Sequence, residues 1–306
     1  MSCKSYFEKI EMVILLIIVT FIIIPADAIA ISSELLNFYE YDLKKGQIAI
    51  MWLGNHQKGP LEGYASAGFI IKTSEAVIVI DPSNILSDDL AVLERINAIL
   101  ITHDHVDHFN IDSTIMMQNK TDAYVVANPP AFLVLQGQIS GDKLIKMVPG
   151  KAVSLNGINV TAFAAEHPSE MPLFYIIEVD GFRIFDGSDS AFVENLNEMG
   201  SRVHIALVPT GDPSPTASPT DAFEMIKATK PYVVIPMHGT PEQMQKFAEI
   251  VEDSKMQTNV IIPTPLDVII PAEVVPEYSL AGVTMIVSFL IMLSIISLKK
   301  KQNVLQ

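Results

Sequence analysis

Three histidines and two aspartates fall within six consecutive positions of this chain, directly after an apolar run that ends near Ile101. Packing alone does not explain such a cluster, because each imidazole carries polar nitrogens that need partners when buried. Imidazole nitrogens and carboxylate oxygens are ligands of zinc and similar metals, and a turn after a strand can bring them together. One turn cannot complete two coordination shells, so the fold must bring distant loops to this strand end. The cluster is His103, Asp104, His105, Asp107 and His108.

Short β-branched runs alternate with helical patterns from residue 47 onward. The alternation predicts a layered α/β domain, over residues 31–270, with more strands than helices. Helices are predicted at Asp88–Ile96, Asp221–Thr229 and Pro241–Val251. Strands are predicted at Gln47–Leu53, Gly68–Lys72, Ala76–Ile80, Ala98–Thr102, Ala123–Val126, Val160–Ala164, Phe174–Val179, Arg183–Phe185, Ile205–Val208 and Tyr232–Ile235.

Two further histidines stand at the ends of predicted strands. His167 follows the strand that ends at Ala164, and His238 lies just before the helix that begins at Pro241. An acidic turn, residues 186–190, leaves a strand between them. These positions are candidates for the missing ligands, whereas His204, beside a buried strand, is predicted to be a core histidine with satisfied nitrogens.

The proline-rich segment 209–219 is the most loop-like part of the interior, since its prolines exclude regular ladder hydrogen bonds. One interpretation is a strand-to-helix connection in which Ser218 caps the helix that follows. The other is a rim over a substrate pocket. Both are kept, because one loop can serve both purposes.

Taken together, these stretches resemble the metallo-β-lactamase superfamily over about residues 47–252. The runs Ala206–Pro209 and Lys230–Thr240 look like the branch that holds ascorbate-6-phosphate lactonase and many uncharacterised metal-dependent hydrolases. The resemblance implies a four-layer αβ/βα sandwich. The early Gly-His pair of that branch appears here as Gly54-Asn55-His56, followed by an extra stretch, so His56 is only a candidate pocket residue.

The resemblance also implies a ligand set for two divalent metal ions, with zinc expected first and manganese or iron as alternatives. Asp186 rivals the bridging aspartate, because the usual Gly-Asp-Thr is here Ser188-Asp189-Ser190. Asp81 matches an acidic position that supports the metal loop, although it could equally be an ordinary turn aspartate. The implied ligands are His103, His105 and His167 for one metal, Asp107, His108 and His238 for the other, and Asp189 between them.

The function that follows is hydrolysis by a metal-activated water, with Asp107 steering its proton. A small lactone, ester or amide is the expected substrate. The alternatives are a phosphodiester, such as a nucleotide or lipid head group, and a surface metal-binding module without turnover. The only cysteine, Cys3, precedes the first apolar run, so the folded domain has neither a disulfide nor a thiolate ligand. The net charge of −15 argues against a general nucleic-acid binder.

Both ends of the chain carry apolar runs. Residues 12–24 follow two lysines and precede small residues, which predicts a signal peptide over 1–30, with an uncleaved anchor as the alternative. Residues 278–298 contain no charged side chain and precede three lysines. This predicts a linker at 271–277, a transmembrane helix at 278–298 and a cytoplasmic tail at 299–306. The expected location is the cell membrane, with the catalytic domain outside the cytoplasm and the oligomeric state open.

Overall fold

A computed structural model describes residues 26–54, 66–83 and 93–271 of the protein. Four sets of predictions lie outside these residues: the apolar run at 12–24, His56, the membrane helix at 278–298, and the tail. The small residues at 26–30, expected beside a cleavage site, begin a helix that continues to Glu40.

The localisation predicted from the sequence, a membrane protein with one C-terminal anchor, needs correction. Within residues 26–54, 66–83 and 93–271, every helix falls short of the length and apolarity that a membrane crossing requires.

Two seven-stranded sheets form the centre of the part of the chain that the structure describes. In chain order the strands are β1 (Ile48–Trp52), β2 (Phe69–Thr73), β3 (Val77–Ile80), β4 (Ala98–Ile101), β5 (Tyr124–Ala127), β6 (Leu144–Lys146), β7 (Ala152–Leu155), β8 (Ile158–Ala164), β9 (Leu173–Val179), β10 (Phe182–Asp186), β11 (Ile205–Pro209), β12 (Val233–Met237), β13 (Asn259–Val260) and β14 (Val268–Ile269). The first sheet has the strand order β14-β1-β2-β3-β4-β5-β6, and the second has the order β13-β12-β11-β10-β9-β8-β7.

Strand direction follows from how the strands are connected. In the first sheet β3 to β6 run parallel, with Ile80 opposite Leu100 and Ile101 opposite Ala127, while β14, β1, β2 and β3 pair antiparallel. In the second sheet β7 to β10 pair antiparallel and β10 to β13 run parallel. The parallel strands β3, β4, β11 and β12 are buried along their whole length, as continuous apolar runs predict. All ten predicted strands are present, most within one or two residues of the predicted bounds.

Helices cover the outer face of each sheet. They are α1 (Ala26–Glu40), α2 (Ile111–Thr121), α3 (Pro129–Leu135), α4 (Pro219–Thr229) and α5 (Pro241–Ser254), with a 3₁₀ helix at Glu194–Met199. The N-caps Asn110, Asn128, Ser218 and Thr240 each accept a hydrogen bond from a backbone N–H of the first turn. The prediction of a helix at 88–96 is wrong for residues 93–96, the part that the structure describes, because they are not helical.

Three apolar clusters divide the domain into four layers. Between the sheets pack Phe69, Tyr175 and Phe182 with the inward residues of both sheets. Residues of α1, α2 and α3 cover the outer face of the first sheet, and residues of α4 and α5 cover that of the second. This is the four-layer αβ/βα sandwich that the resemblance implied.

We expect Phe247→Ala to lower the free energy of unfolding by about 3–5 kcal/mol, as removal of a buried ring does. Phe247 is fully buried where α5 packs on the second sheet. Urea unfolding would measure the loss. The exposed neighbour Gln245 is the control, and Gln245→Ala should change stability by no more than about 0.5 kcal/mol. Equal stability of the two variants would show that α5 contributes little to the core.

Candidate metal centre

All seven predicted ligands lie at one edge of the sandwich, because they follow the carboxyl ends of strands that share a direction. Residues 103–108 follow β4, and His167, Asp189 and His238 follow β8, β10 and β12. Strands β8 and β10 are each antiparallel to β9 and therefore run in the same direction. The first sheet supplies four of the seven side chains and the second sheet supplies three.

One group consists of His103, His105 and His167, whose nearest ring nitrogens all lie within 4.8 Å of one another. His167 Nε2 lies 3.0 Å from His105 Nδ1. His103 is fully buried, whereas the other two reach the surface of the site. The three imidazoles therefore form a pocket for one cation that is open on one side.

The second group consists of Asp107, His108, Asp189 and His238. Asp189 Oδ1 lies 3.0 Å from His108 Nε2 and 2.8 Å from His238 Nε2. Its other oxygen, Oδ2, lies 3.8 Å from His167 Nε2 in the first group. Asp107 Oδ2 is 4.0 and 3.9 Å from the same His108 and His238 nitrogens. Asp189 thus has one oxygen toward each group, as a bridging ligand would.

Asp186, the rival bridging residue, is not in either group. It is buried, and its Oδ1 accepts a hydrogen bond from Ser188 N at 3.3 Å. Burial, followed by repulsion from Asp81, raises the pKa of Asp186 to about 8. The geometry therefore favours Asp189, whose two oxygens face both groups, over Asp186 as the bridging residue.

Hydrogen bonds to oxygens that can only accept show which nitrogen of an imidazole carries the proton and which nitrogen is free to bind a metal. His105 Nε2 lies 3.1 Å from the carbonyl oxygen of Pro168, and His108 Nδ1 lies 2.7 Å from Asp81 Oδ2. A carbonyl or carboxylate oxygen can only accept, so each of these nitrogens carries the proton. His105 Nδ1 and, in the neutral ring, His108 Nε2 then present lone pairs to the groups, which is the state of a metal-bound imidazole.

The surroundings of His103 Nε2 indicate whether the first group can hold a metal ion. Its other nitrogen, Nδ1, lies 3.1 Å from Thr102 Oγ1, whose own proton goes to Asp81 Oδ2. Nδ1 must therefore donate, which leaves a lone pair on Nε2. Among the residues that the structure describes, this buried Nε2 has no hydrogen-bond partner. A buried polar atom without a partner is costly, and a divalent cation in the first group would satisfy it.

Opposite charges dominate the buried centre. Burial lowers the pKa of His108, but the Asp189 and Asp81 carboxylates outweigh it and raise that pKa well above its usual value. Burial likewise raises the pKa of Asp189, but His108 and His238 outweigh it and hold that pKa well below its usual value. Asp189 is therefore ionised, and the centre is built to hold a negative carboxylate against positive charge.

Asp81 supports the metal loop from beneath, as the resemblance implied. It is buried with φ of 44° and accepts hydrogen bonds from Thr102 N at 2.8 Å, Thr102 Oγ1 at 2.6 Å and His108 Nδ1 at 2.7 Å. One carboxylate thus fixes both the start of the 103–108 turn and the ring of His108.

Other side chains of the centre carried no signal in the sequence. Thr210 donates to the backbone carbonyl of His238 at 2.6 Å and holds that residue at a left-handed φ of 37°. Ser188 Oγ donates to Thr102 Oγ1 at 2.9 Å and so joins the two sheets. Single hydroxyls of this kind have no motif, and only the fold reveals them.

His204 is a buried core histidine, as predicted, whose Nδ1 accepts from Arg183 N at 2.9 Å.

A pocket of about 430 Å³ opens over the centre. Ser218, at the end of the proline-rich loop, caps α4, which confirms the interpretation of this segment as a strand-to-helix connection. Pro213 and Pro215 of the same loop form one wall of the pocket, and binding of a substrate there stays a prediction. The residues that line the pocket are Asp104, His105, Val106, Asp107, His167, Asp189, Pro213 and Pro215.

Residues 61–238 match the family model described as a beta-lactamase superfamily domain. A UPF0173 protein of Pyrococcus abyssi is 33% identical over 177 residues, which are 57% of this chain and 80% of that protein. A UPF0173 metal-dependent hydrolase of Polynucleobacter asymbioticus is 30% identical over 224 residues, covering 63% of this chain and 78% of that protein. Among solved structures, a metallo hydrolase of Ignicoccus hospitalis is similar with a TM-score of 0.60 and 20% identity, covering 74% of this chain and 98% of that chain. The chain belongs to the beta-lactamase superfamily and has its metallo-β-lactamase fold.

Proposed function

We propose that this chain, a metal-dependent hydrolase like its curated relatives, hydrolyses a small lactone, ester or amide at a dinuclear centre. His103, His105 and His167 would hold one metal, and Asp107, His108 and His238 the other, with Asp189 between them. The observation that carries the proposal is the convergence of these side chains, from both sheets, into two adjacent groups of nitrogen and oxygen donors. When bound, a metal pair lowers the pKa of a water and polarises a substrate oxygen.

The chain's own residues supply binding and proton transfer. Asp107 lines the pocket, and only 15% of its side chain is exposed. Its carboxylate can accept the proton that the attacking water releases and pass it to the leaving group. Val106, Pro213 and Pro215 give the pocket apolar walls, against which the carbon skeleton of a substrate can pack.

The pocket lining favours an uncharged substrate over a phosphodiester. Of the described residues that line it, none is lysine or arginine, and Asp104 and Asp107 add negative charge. Two divalent ions would themselves attract a phosphate group, but sites for phosphodiesters ordinarily add cationic side chains or helix N-termini for the oxygens that the metals do not reach. A neutral lactone, ester or amide needs no such partner.

Metal content is the first test. We expect the purified full-length chain to hold close to two divalent ions, and chelation to remove its hydrolytic activity until Zn²⁺ or Mn²⁺ is restored. Metal at about a hundred times its dissociation constant should also stabilise the fold by about 2.7 kcal/mol for each ion bound. Elemental analysis and thermal unfolding measure the two effects. A protein that binds no metal would remove the enzyme proposal.

Substrate class is tested on the same preparation. A panel of lactones, carboxylic esters, β-lactams and phosphodiesters, assayed with each metal, should show turnover of one of the first three. Turnover of phosphodiesters alone would replace the proposed substrate, whereas tight metal binding without any turnover would favour a binding module.

A further inference from the structure

Besides Thr210, two further hydroxyls of the proline-rich loop at 209–219 reach under the metal centre. Thr216 Oγ1 lies 3.1 Å from His167 Nδ1 and 2.8 Å from the backbone carbonyl oxygen of Asp189. Ser214 Oγ donates to the same carbonyl at 2.7 Å. Thr216 therefore contacts one member of each proposed metal group, His167 in the first and the bridging Asp189.

Proton counting assigns the direction of each bond. A hydroxyl has one proton, and a carbonyl oxygen can only accept, so Thr216 donates to Asp189. Its oxygen is then left to accept the proton of His167 Nδ1. With the proton on Nδ1, His167 Nε2 presents its lone pair toward His105 Nδ1, 3.0 Å away. This is the tautomer that a metal ligand requires.

We propose that Thr216 is a positioning residue of the metal centre, which fixes the ring and the proton of His167 while it holds the backbone of Asp189. The inference rests on the proposed function, since it assumes the metal centre, but it concerns metal affinity rather than turnover. Ser214 Oγ shares the Asp189 carbonyl and lies 3.2 Å from Thr216 Oγ1, but its described hydrogen bonds do not include His167. Comparing the two hydroxyls therefore separates support of the Asp189 backbone from orientation of the His167 ring.

The test compares Thr216→Val, Thr216→Ser and Ser214→Ala in the full-length chain. Zn²⁺ affinity is measured by competition with a chromophoric chelator. Removing a partner that orients a metal-bound histidine typically weakens binding about 10- to 100-fold, so we expect a loss in that range for Thr216→Val. Thr216→Ser keeps the hydroxyl and should stay within about threefold of the wild type, and Ser214→Ala should lose less than Thr216→Val.

A spectroscopic signal separates positioning from packing. In ¹⁵N-labelled, zinc-loaded protein, the Nδ1–H of His167 should exchange slowly with water in the wild type and in Thr216→Ser, and quickly in Thr216→Val. Thr216→Ala replaces the valine variant if that variant does not fold.

Wild-type zinc affinity in Thr216→Val would overturn the inference, as would equal losses in the serine and valine variants, which would indicate packing. Both outcomes leave the proposed function standing. A wild-type chain that binds no zinc would overturn the proposed function and this inference together.

Discussion

Asp189→Asn will hydrolyse substrate at least about a thousandfold more slowly than the wild type. Asparagine keeps the shape of the side chain but removes the charge and one of the two oxygens that face the metal groups. If polarisation of the substrate is worth about 4 kcal/mol, its loss corresponds to about a thousandfold in rate. Steady-state kinetics at saturating metal measure the effect, and metal analysis should show fewer than two ions per chain.

The control for this variant is Asp253→Asn on the exposed side of α5. It removes the same charge far from the centre and should leave rate and metal content unchanged. Undiminished activity of Asp189→Asn would refute the bridging role and return Asp186 to consideration.

Asp81→Asn will lower both stability and metal affinity. The substituted side chain would retain one acceptor for Thr102 N, but its amide would place donors against Thr102 Oγ1 and His108 Nδ1. Buried hydrogen bonds to a charged group contribute about 1.5–3 kcal/mol each, so the loss of two of them should lower the unfolding free energy by about 3–6 kcal/mol. Zinc affinity should fall about 10- to 100-fold, because His108 loses the partner that orients it. Urea unfolding of the metal-free protein and zinc titration measure the two losses.

Asp122 offers a matched control for Asp81. It also has a positive φ, 55°, but lies exposed at the C-cap of α2 with a surface ion pair to Lys143. Asparagine tolerates this backbone conformation at both positions. Asp122→Asn should therefore change stability by less than about 1 kcal/mol. If the two variants lose equally little stability, Asp81 is an ordinary turn aspartate and does not support the metal loop.

The strands were predictable because each fully buried strand is a short, continuous run of apolar residues in the sequence. Val77–Ile80 and Ala98–Ile101 are continuous apolar stretches, typical of parallel strands covered on both faces. The helices α2 and α3 escaped prediction. In α2 the buried face is mostly polar while Ile111 and Met116 are exposed, and α3 is a seven-residue apolar run without helical period. Their N-caps, Asn110 and Asn128, were the available signals.

The seven candidate ligands were predictable as a set, because a dense motif and a family resemblance pointed to them. The structure brings them together, and their roles as ligands stay a prediction that the variants above test. Thr216 and Ser214 could not be found in the same way. Their partners lie 25 to 49 residues away in the chain, and no spacing rule links a loop hydroxyl to a histidine on another strand.

The division of the donors between the two sheets has a consequence for biosynthesis. A nascent chain that ends near residue 150 has His103, His105, Asp107 and His108, but neither group of donors is complete without His167, Asp189 and His238. If these side chains hold two metal ions as proposed, the complete centre can form only after the later half of the polypeptide has emerged from the ribosome and docked on the earlier half. Binding of both ions would then follow folding rather than precede it.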